Sequence, residues 1–152
     1  LFKQSAFYLL AARFGALPVQ LTKEESQLDF QHSARVLHNK VRAFASWPGT
    51  FAALTVSSSS SSSDDEASQS QQQQQMQVKV LKSRVGDAAA EQLVKEASAG
   101  QVVFANGGKR MLLPCADGSV LEVLLLQPPT KKAMEPKAFY NGLSGKQLYV
   151  SQ

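Results

Sequence analysis

Between Ala34 and Phe44 the apolar residues Ala34, Leu37, Val41 and Phe44 return every three or four positions, which predicts a helix with one buried stripe. Arg35, Lys40 and Arg42 fall mostly off that stripe, and Asp29–Ser33 ahead of it offers several side chains able to cap orphan N–H groups. Pro48 and Gly49 end the segment and hand the chain to a predicted strand at Thr50–Val56. After residue 77 the period drops to two, with Val78, Val80 and Lys82 alternating with Lys79, Leu81 and Ser83. Further strands are predicted at Gln101–Ala105, Met111–Ala116 and Val120–Gln127. They are joined by Asn106-Gly107-Gly108 and Asp117-Gly118, two turn sequences that accept positive φ. Ala88–Ala99 reads as a turn of helix or an extended loop; Pro128 and Pro129 close the last strand, and Pro136–Gly142 reads as a short final helix.

Five strands joined by short turns, with no βαβ rhythm, argue against a doubly wound sheet. A closed barrel leaves no exposed strand edge, so the expected fold is mainly β with helices: an OB-like Greek-key β-barrel with the amphipathic helix packed on it.

One stretch stands apart. Ser57–Ser63 is unbroken serine, followed by Asp64, Asp65 and Glu66 and then Gln71–Gln75. Such a sequence has almost no apolar surface to offset its ordering entropy, so residues 57–77 are expected to form a disordered insert. The remaining roughly 130 residues match a modal domain. Residues 1–20 are left unassigned as a helical or linker segment: Lys3 and Arg13 with no acid, together with apolar Phe2, Ala6, Leu9, Leu10 and Phe14, resemble a transit peptide, while the first residue, Leu1, suggests a remnant of an upstream region. The ordered domain is expected to span 21–150.

The net charge is +4, but three of the twelve acids lie in the insert, which leaves sixteen cations against nine acids in the body. A basic body suits a polyanion, because each phosphate neutralised by Lys or Arg releases counterions. A single cysteine, Cys115, excludes an internal disulfide and a thiolate metal cluster, and its place in a strand predicts a buried, inert thiol. No apolar run approaches the ~20 residues that cross a bilayer; the longest, near the C-terminus, is broken by Glu122.

Candidate catalytic chemistry is thin. His32 and His38 lie six apart, a spacing that sets them on different helix faces rather than as a metal pair. Asn106-Gly107-Gly108-Lys109-Arg110 lacks the Walker spacing and joins two strands, so it reads as a hairpin. What remains is a binding surface: Lys40 and Arg42 on the helix, Lys79 and Lys82 on a strand, and Lys131 and Lys132 after two stiffening prolines. Trp47, ahead of Pro48 at the helix-to-strand corner, is expected to be buried rather than to stack on unpaired bases.

Four stretches, in order, resemble one family. Leu21-Thr22-Lys23-Glu24-Glu25 through Asp29-Phe30 resembles its entry segment, and Asn39–Gly49 its helix and Trp-Pro corner. Leu126-Gln127-Pro128 with Lys131-Lys132-Ala133-Met134 resembles its last strand and basic turn, and Phe139-Tyr140-Asn141-Gly142 its closing helix. The family is methionyl-tRNA formyltransferase, and the resemblance is to its C-terminal, tRNA-binding domain.

The resemblance implies an intact enzyme that transfers a formyl group from formyl-tetrahydrofolate to methionine on initiator tRNA, with catalysis in a separate N-terminal domain. The chain itself is then expected to be inactive alone and to bind no cofactor or metal. Its implied partners are initiator methionyl-tRNA, held by Lys40, Arg42, Lys79, Lys82, Lys131 and Lys132, and its own catalytic domain; no membrane is implied, and a monomer is expected. Thr130 departs from the pattern by standing where the family usually has Gly. The insert is unusual for bacterial members and suggests a eukaryotic protein serving a mitochondrion or plastid. Two other readings stay open: a structural lid of a sugar- or folate-directed formyltransferase, and a general single-stranded nucleic-acid module.

Overall fold

The computed structural model describes residues 24–57 and 74–151. The basic segment 1–18 and residues 58–73 of the serine/glutamine stretch lie outside the described residues. Helix α1 spans Ala34–Ala43, and Ser33 caps it by accepting the Val36 N–H through Oγ at 3.4 Å. Strands β1 (Thr50–Ser57) and β2 (Gln74–Val85) follow, then helix α2 (Ala88–Glu96), β3 (Val103–Ala105), β4 (Arg110–Pro114), β5 (Val120–Gln127), helix α3 (Pro136–Gly142) and β6 (Gln147–Val150). The six strands form one antiparallel sheet in the order β3-β4-β5-β2-β1-β6.

The sheet curls until its two ends meet. Val102 N–H donates to the Leu148 carbonyl at 2.8 Å, and Val150 N–H donates to the Gly100 carbonyl at 2.8 Å. The segment leading into β3 is thereby joined to β6, which satisfies backbone groups that an open edge would leave to solvent. The expected mainly-β fold with a packed helix is the fold observed.

Strand alternation sorts the interior into two clusters. Met111 and Leu113 of β4 and Leu121 and Val123 of β5 face the main core, where α1 sets Ala34, Leu37 and Val41. Each large side chain buried there contributes about 1.5–3 kcal/mol on leaving water. Leu112 and Val120 point to the other face, where α2 covers them with Ala90. Asp87 caps α2 by accepting the Ala90 N–H at 2.8 Å, so the stretch left open as helix or loop is helical through Glu96.

On that second face lies the charge that interrupts the apolar run. Glu122 is 2% exposed. It accepts two hydrogen bonds from Arg84, both at 2.9 Å, and two from Arg110, at 3.0 and 2.7 Å. Arg110 also reaches Asp87 at 3.2 Å, which links β5, β4 and the α2 cap. Burial pushes the Glu122 carboxyl up, but the hydrogen bonds and charges of Arg110 and Arg84 outweigh it and hold it below the ordinary carboxylate value.

Three expectations need correction. Composition puts the insert at 57–77, yet Ser57 belongs to β1, and Gln74–Gln77 belong to β2, paired with Val56, Thr55, Leu54 and Ala53. A partner strand supplies ladder hydrogen bonds that composition does not reveal, and Met76 packs against the core. Strand β6 was not foreseen; it is only four residues long, and its register comes from β1. Strict alternation puts Lys82 on the Val78–Val80 face. Instead the register shifts at Leu81, Lys82 turns outward, and Ser83 turns inward to meet His38 Nδ1 at 3.1 Å.

Cys115 is 8% exposed, and burial pushes its thiol up to about 11. The thiolate is the reactive form. Cys115 lies one residue past the end of β4, in the turn rather than in the strand expected for it. A disulfide reagent at neutral pH is expected to label it at least about tenfold more slowly in the folded protein than in denaturant, and equal rates would show that the fold does not shield it.

Candidate nucleic-acid interface

The outer face of the sheet carries a cross-strand row. Phe51 of β1 lies opposite Lys79 of β2, and Lys79 lies opposite Gln127 of β5. Lys79 Nζ sits 5.9 Å from the centre of the Phe51 ring, a cation–π contact that holds the ammonium over the sheet. Gly49, at φ +87°, lies against the same side chain, and a Cβ there would collide with Lys79 Cε. The row is therefore fixed from two sides.

Both ends of the row lead to further cations. Beyond Phe51, Gln27 bridges to it in parallel, and Lys40 Nζ donates to the Gln27 carbonyl at 2.8 Å. Beyond Gln127 the chain loops out and returns, because Leu126 and Met134 exchange backbone hydrogen bonds at 3.0 and 2.8 Å. Lys131 and Lys132 are exposed within that loop. Gln127 Nε2 donates to the Lys131 carbonyl at 2.9 Å and ties the loop to the row.

The loop is strained at one point. Lys131 N–H donates to the Pro128 carbonyl at 3.2 Å, with Pro129 and Thr130 between, and Thr130 has φ +62°. Proline followed by positive φ is the pattern of a type II turn, which favours glycine at the second central position. A β-branched residue there costs roughly 1–2 kcal/mol, partly offset in any glycine variant by about 0.4–1 kcal/mol of unfolded-state entropy. Thr130→Gly is therefore expected to stabilise the fold by about 0.5 kcal/mol, read from the urea midpoint; a destabilised variant would mean that the Thr130 hydroxyl bond to the Pro129 carbonyl matters more than the strain.

Of the six candidate cations, the structure brings Lys40, Lys79 and Lys131 onto this connected band. Lys132 adjoins Lys131, and Lys82 lies three residues along β2 on the exposed side. Arg42 shares the last turn of α1 with Lys40 and is exposed, without a contact to the row. Arg42, Lys82 and Lys132 have no ion-pair partner among the described residues.

Sequence reasoning missed three participants. Phe51 and Gln127 read as ordinary strand residues, and only the register makes them neighbours of Lys79. Lys146 lines a groove of about 480 Å³ together with Lys131, over Met76, Met134, Phe139 and Leu143. Nothing local to Lys146 signals this, because the groove closes between segments distant in the chain.

Trp47 also differs from expectation: it is 66% exposed. At this corner Phe44 is half-buried and Thr50 is buried, donating its hydroxyl to the Val80 carbonyl at 3.0 Å, while the indole stays outside the core.

The described residues hold no group of three His, Cys, Asp or Glu side chains placed to bind a metal. His38 is spent on Ser83, and His32 lies exposed 3.8 Å from Asp29. No described helix is long and apolar enough to cross a membrane.

Comparison with known proteins agrees with this architecture. The chain is 29% identical over 132 residues to the methionyl-tRNA formyltransferase of Latilactobacillus sakei, covering 87% of this chain and 33% of that protein. It is 30% identical over 122 residues to the methionyl-tRNA formyltransferase of Pelobacter propionicus, covering 80% and 30%. With the enzyme of the same name from Treponema denticola it is 25% identical over 122 residues, covering 80% and 32%. The chain thus spans about a third of the length of these relatives. The family described as formyl transferase, C-terminal domain, matches residues 20–144. With five of the six described strands of the curled antiparallel sheet and all three described helices inside that match, the chain belongs to the formyl transferase C-terminal domain family.

Proposed function

We propose that this chain is the tRNA-binding module of a methionyl-tRNA formyltransferase and holds initiator tRNA by phosphate contacts. Lys79, Lys131 and Lys40 form the centre of the contact, flanked by Lys82, Lys132 and Arg42. The observation that carries the reading is the Lys40–Gln27–Phe51–Lys79–Gln127–Lys131 band, which presents cations from three distant parts of the sequence on one connected surface. Lysine ammonium groups act there as point charges and read phosphate rather than base identity.

Within this reading, formyl transfer from formyl-tetrahydrofolate to methionine on the tRNA belongs to a separate catalytic domain, which this module partners. The relatives' names favour a tRNA-directed protein over a lid of a sugar- or folate-directed one. We place the protein in a mitochondrion or plastid on the composition of its insert, and a fluorescent fusion found only in the cytosol would remove that part of the proposal.

The test is initiator-tRNA binding across a salt series from about 50 to about 200 mM, where a phosphate-contacting surface gives a steep fall in affinity. Weak binding that does not vary with salt would leave the domain as structural support only.

A further inference from the structure

Among the described residues, Trp47 is the most exposed of the large apolar side chains, at 66%. Single exposed apolar residues are ordinary. The place of this one is not: it stands in the corner between the last turn of α1, which carries Lys40 and Arg42, and the residue that packs on Lys79. Two residues of chain span at most about 7 Å, so the Trp47 backbone lies within that distance of Gly49, whose backbone abuts the Lys79 stem. The corner is pinned, because Gly49 N–H donates to the Phe44 carbonyl at 2.9 Å.

We propose that Trp47 is a stacking platform that receives the face of an unpaired nucleotide of the bound RNA. This rests on the tRNA-binding reading above. The chemistry is that of a flat π surface beside ammonium groups: the cations engage the phosphates, and the adjacent indole accepts a base without regard to its identity. A purely apolar protein contact is less well matched to an aromatic that lies in the chain between the cation-bearing last turn of α1 and Gly49, which abuts Lys79. The module then does more than attract charge, because stacking selects unpaired segments of a folded RNA over continuous duplex.

Trp47 is the sole tryptophan of the chain, so its emission reports on this position alone. The experiment titrates the 152-residue chain with initiator tRNA, following indole emission and, separately, binding by a filter or anisotropy assay. Quenching in step with binding is expected, together with about tenfold weaker affinity for Trp47→Ala and a loss within about threefold for Trp47→Phe. Trp47→Leu, which keeps apolar bulk without a π face, should behave like Trp47→Ala and serves if the alanine variant fails to fold.

Unchanged indole emission of the parent on titration, or unchanged affinity of Trp47→Leu, while Lys79→Ala still weakens binding, would overturn the platform and leave the basic band standing. Absence of tRNA binding at any salt would remove both. An indole already shielded from acrylamide before RNA is added would place it against protein and overturn the proposal.

Discussion

Glu122→Gln is expected to destabilise the fold by about 3 kcal/mol, a large share of a domain's net stability. The side chain is 2% exposed and accepts four hydrogen bonds from two guanidinium groups. Removing its charge leaves Arg110, whose side chain is only 17% exposed, with the largely solvent-exposed Asp87 as its one carboxylate partner. Arg84 is 55% exposed and returns to water readily, so Arg84→Met should cost no more than about 1 kcal/mol. Replacing both buried partners, Glu122→Leu with Arg110→Met, should recover most of the loss, because two apolar side chains leave no orphan charge. Urea midpoints for the four proteins check this. A Glu122→Gln variant within about 0.5 kcal/mol of the parent would show that the network does not anchor α2.

The same carboxylate sets a pH dependence. Its folded value lies below the ordinary 4.5, so the unfolded chain takes up the proton first as pH falls. The stability it contributes is complete above about pH 4.5 and is lost as pH falls through the lowered folded value. The parent should therefore weaken more steeply below pH 4.5 than Glu122→Gln. Asp87 and Asp117 are held low too, the first by the Ala90 N–H and Arg110, the second by Ser119, so some acid sensitivity persists in the variant.

The second large effect concerns RNA. A triple variant with Lys79, Lys131 and Lys132 changed to Ala is expected to bind initiator tRNA about 100-fold more weakly at about 50 mM salt, taking roughly 1 kcal/mol per exposed phosphate contact. The slope of log affinity against log salt should become shallower by about one for each lysine removed. Lys95→Ala is the control. Lys95 is exposed on α2, which packs against β3, β4 and β5 away from the band, so its removal should leave the slope unchanged. If Lys95→Ala and the triple variant lost the same slope per charge, net charge rather than a built surface would govern binding. The test has force because Lys79 is held in place: Phe51 lies under its ammonium and Gly49 against its stem.

Local signals were legible where the energy that decides them is local. The Ala34–Leu37–Val41 stripe marks α1 because a helix buries whatever recurs at its own period, and Ser33 caps it through a hydroxyl three residues from its partner. The Asn106 and Asp117-Gly118 turns were readable for the same reason: Asn106, Gly107, Gly108 and Gly118 all have positive φ, a conformation few residue types accept cheaply. The family resemblance rests instead on four short stretches read in order, Leu21–Phe30, Asn39–Gly49, Leu126–Met134 and Phe139–Gly142.

Features decided by pairing were not legible. Gln74–Gln77 carry no strand signal of their own and become strand because Ala53–Val56 lie opposite them. Lys82 faces outward only because the register shifts at Leu81, which one strand read alone does not display. Trp47 looks like a core residue by composition, yet the helix-to-strand corner packs without it. Lys40, Lys79 and Lys131 could be picked out as cations, but whether they share a surface depends on contacts between segments far apart in the chain. The sequence by itself thus determined the elements with a local signal, β6 and the first residues of β2 excepted, and the basic character of the body, since these follow from residues a few positions apart. The tertiary structure decided which cations stand together, because a sheet's register is a non-local choice made by the core it must cover.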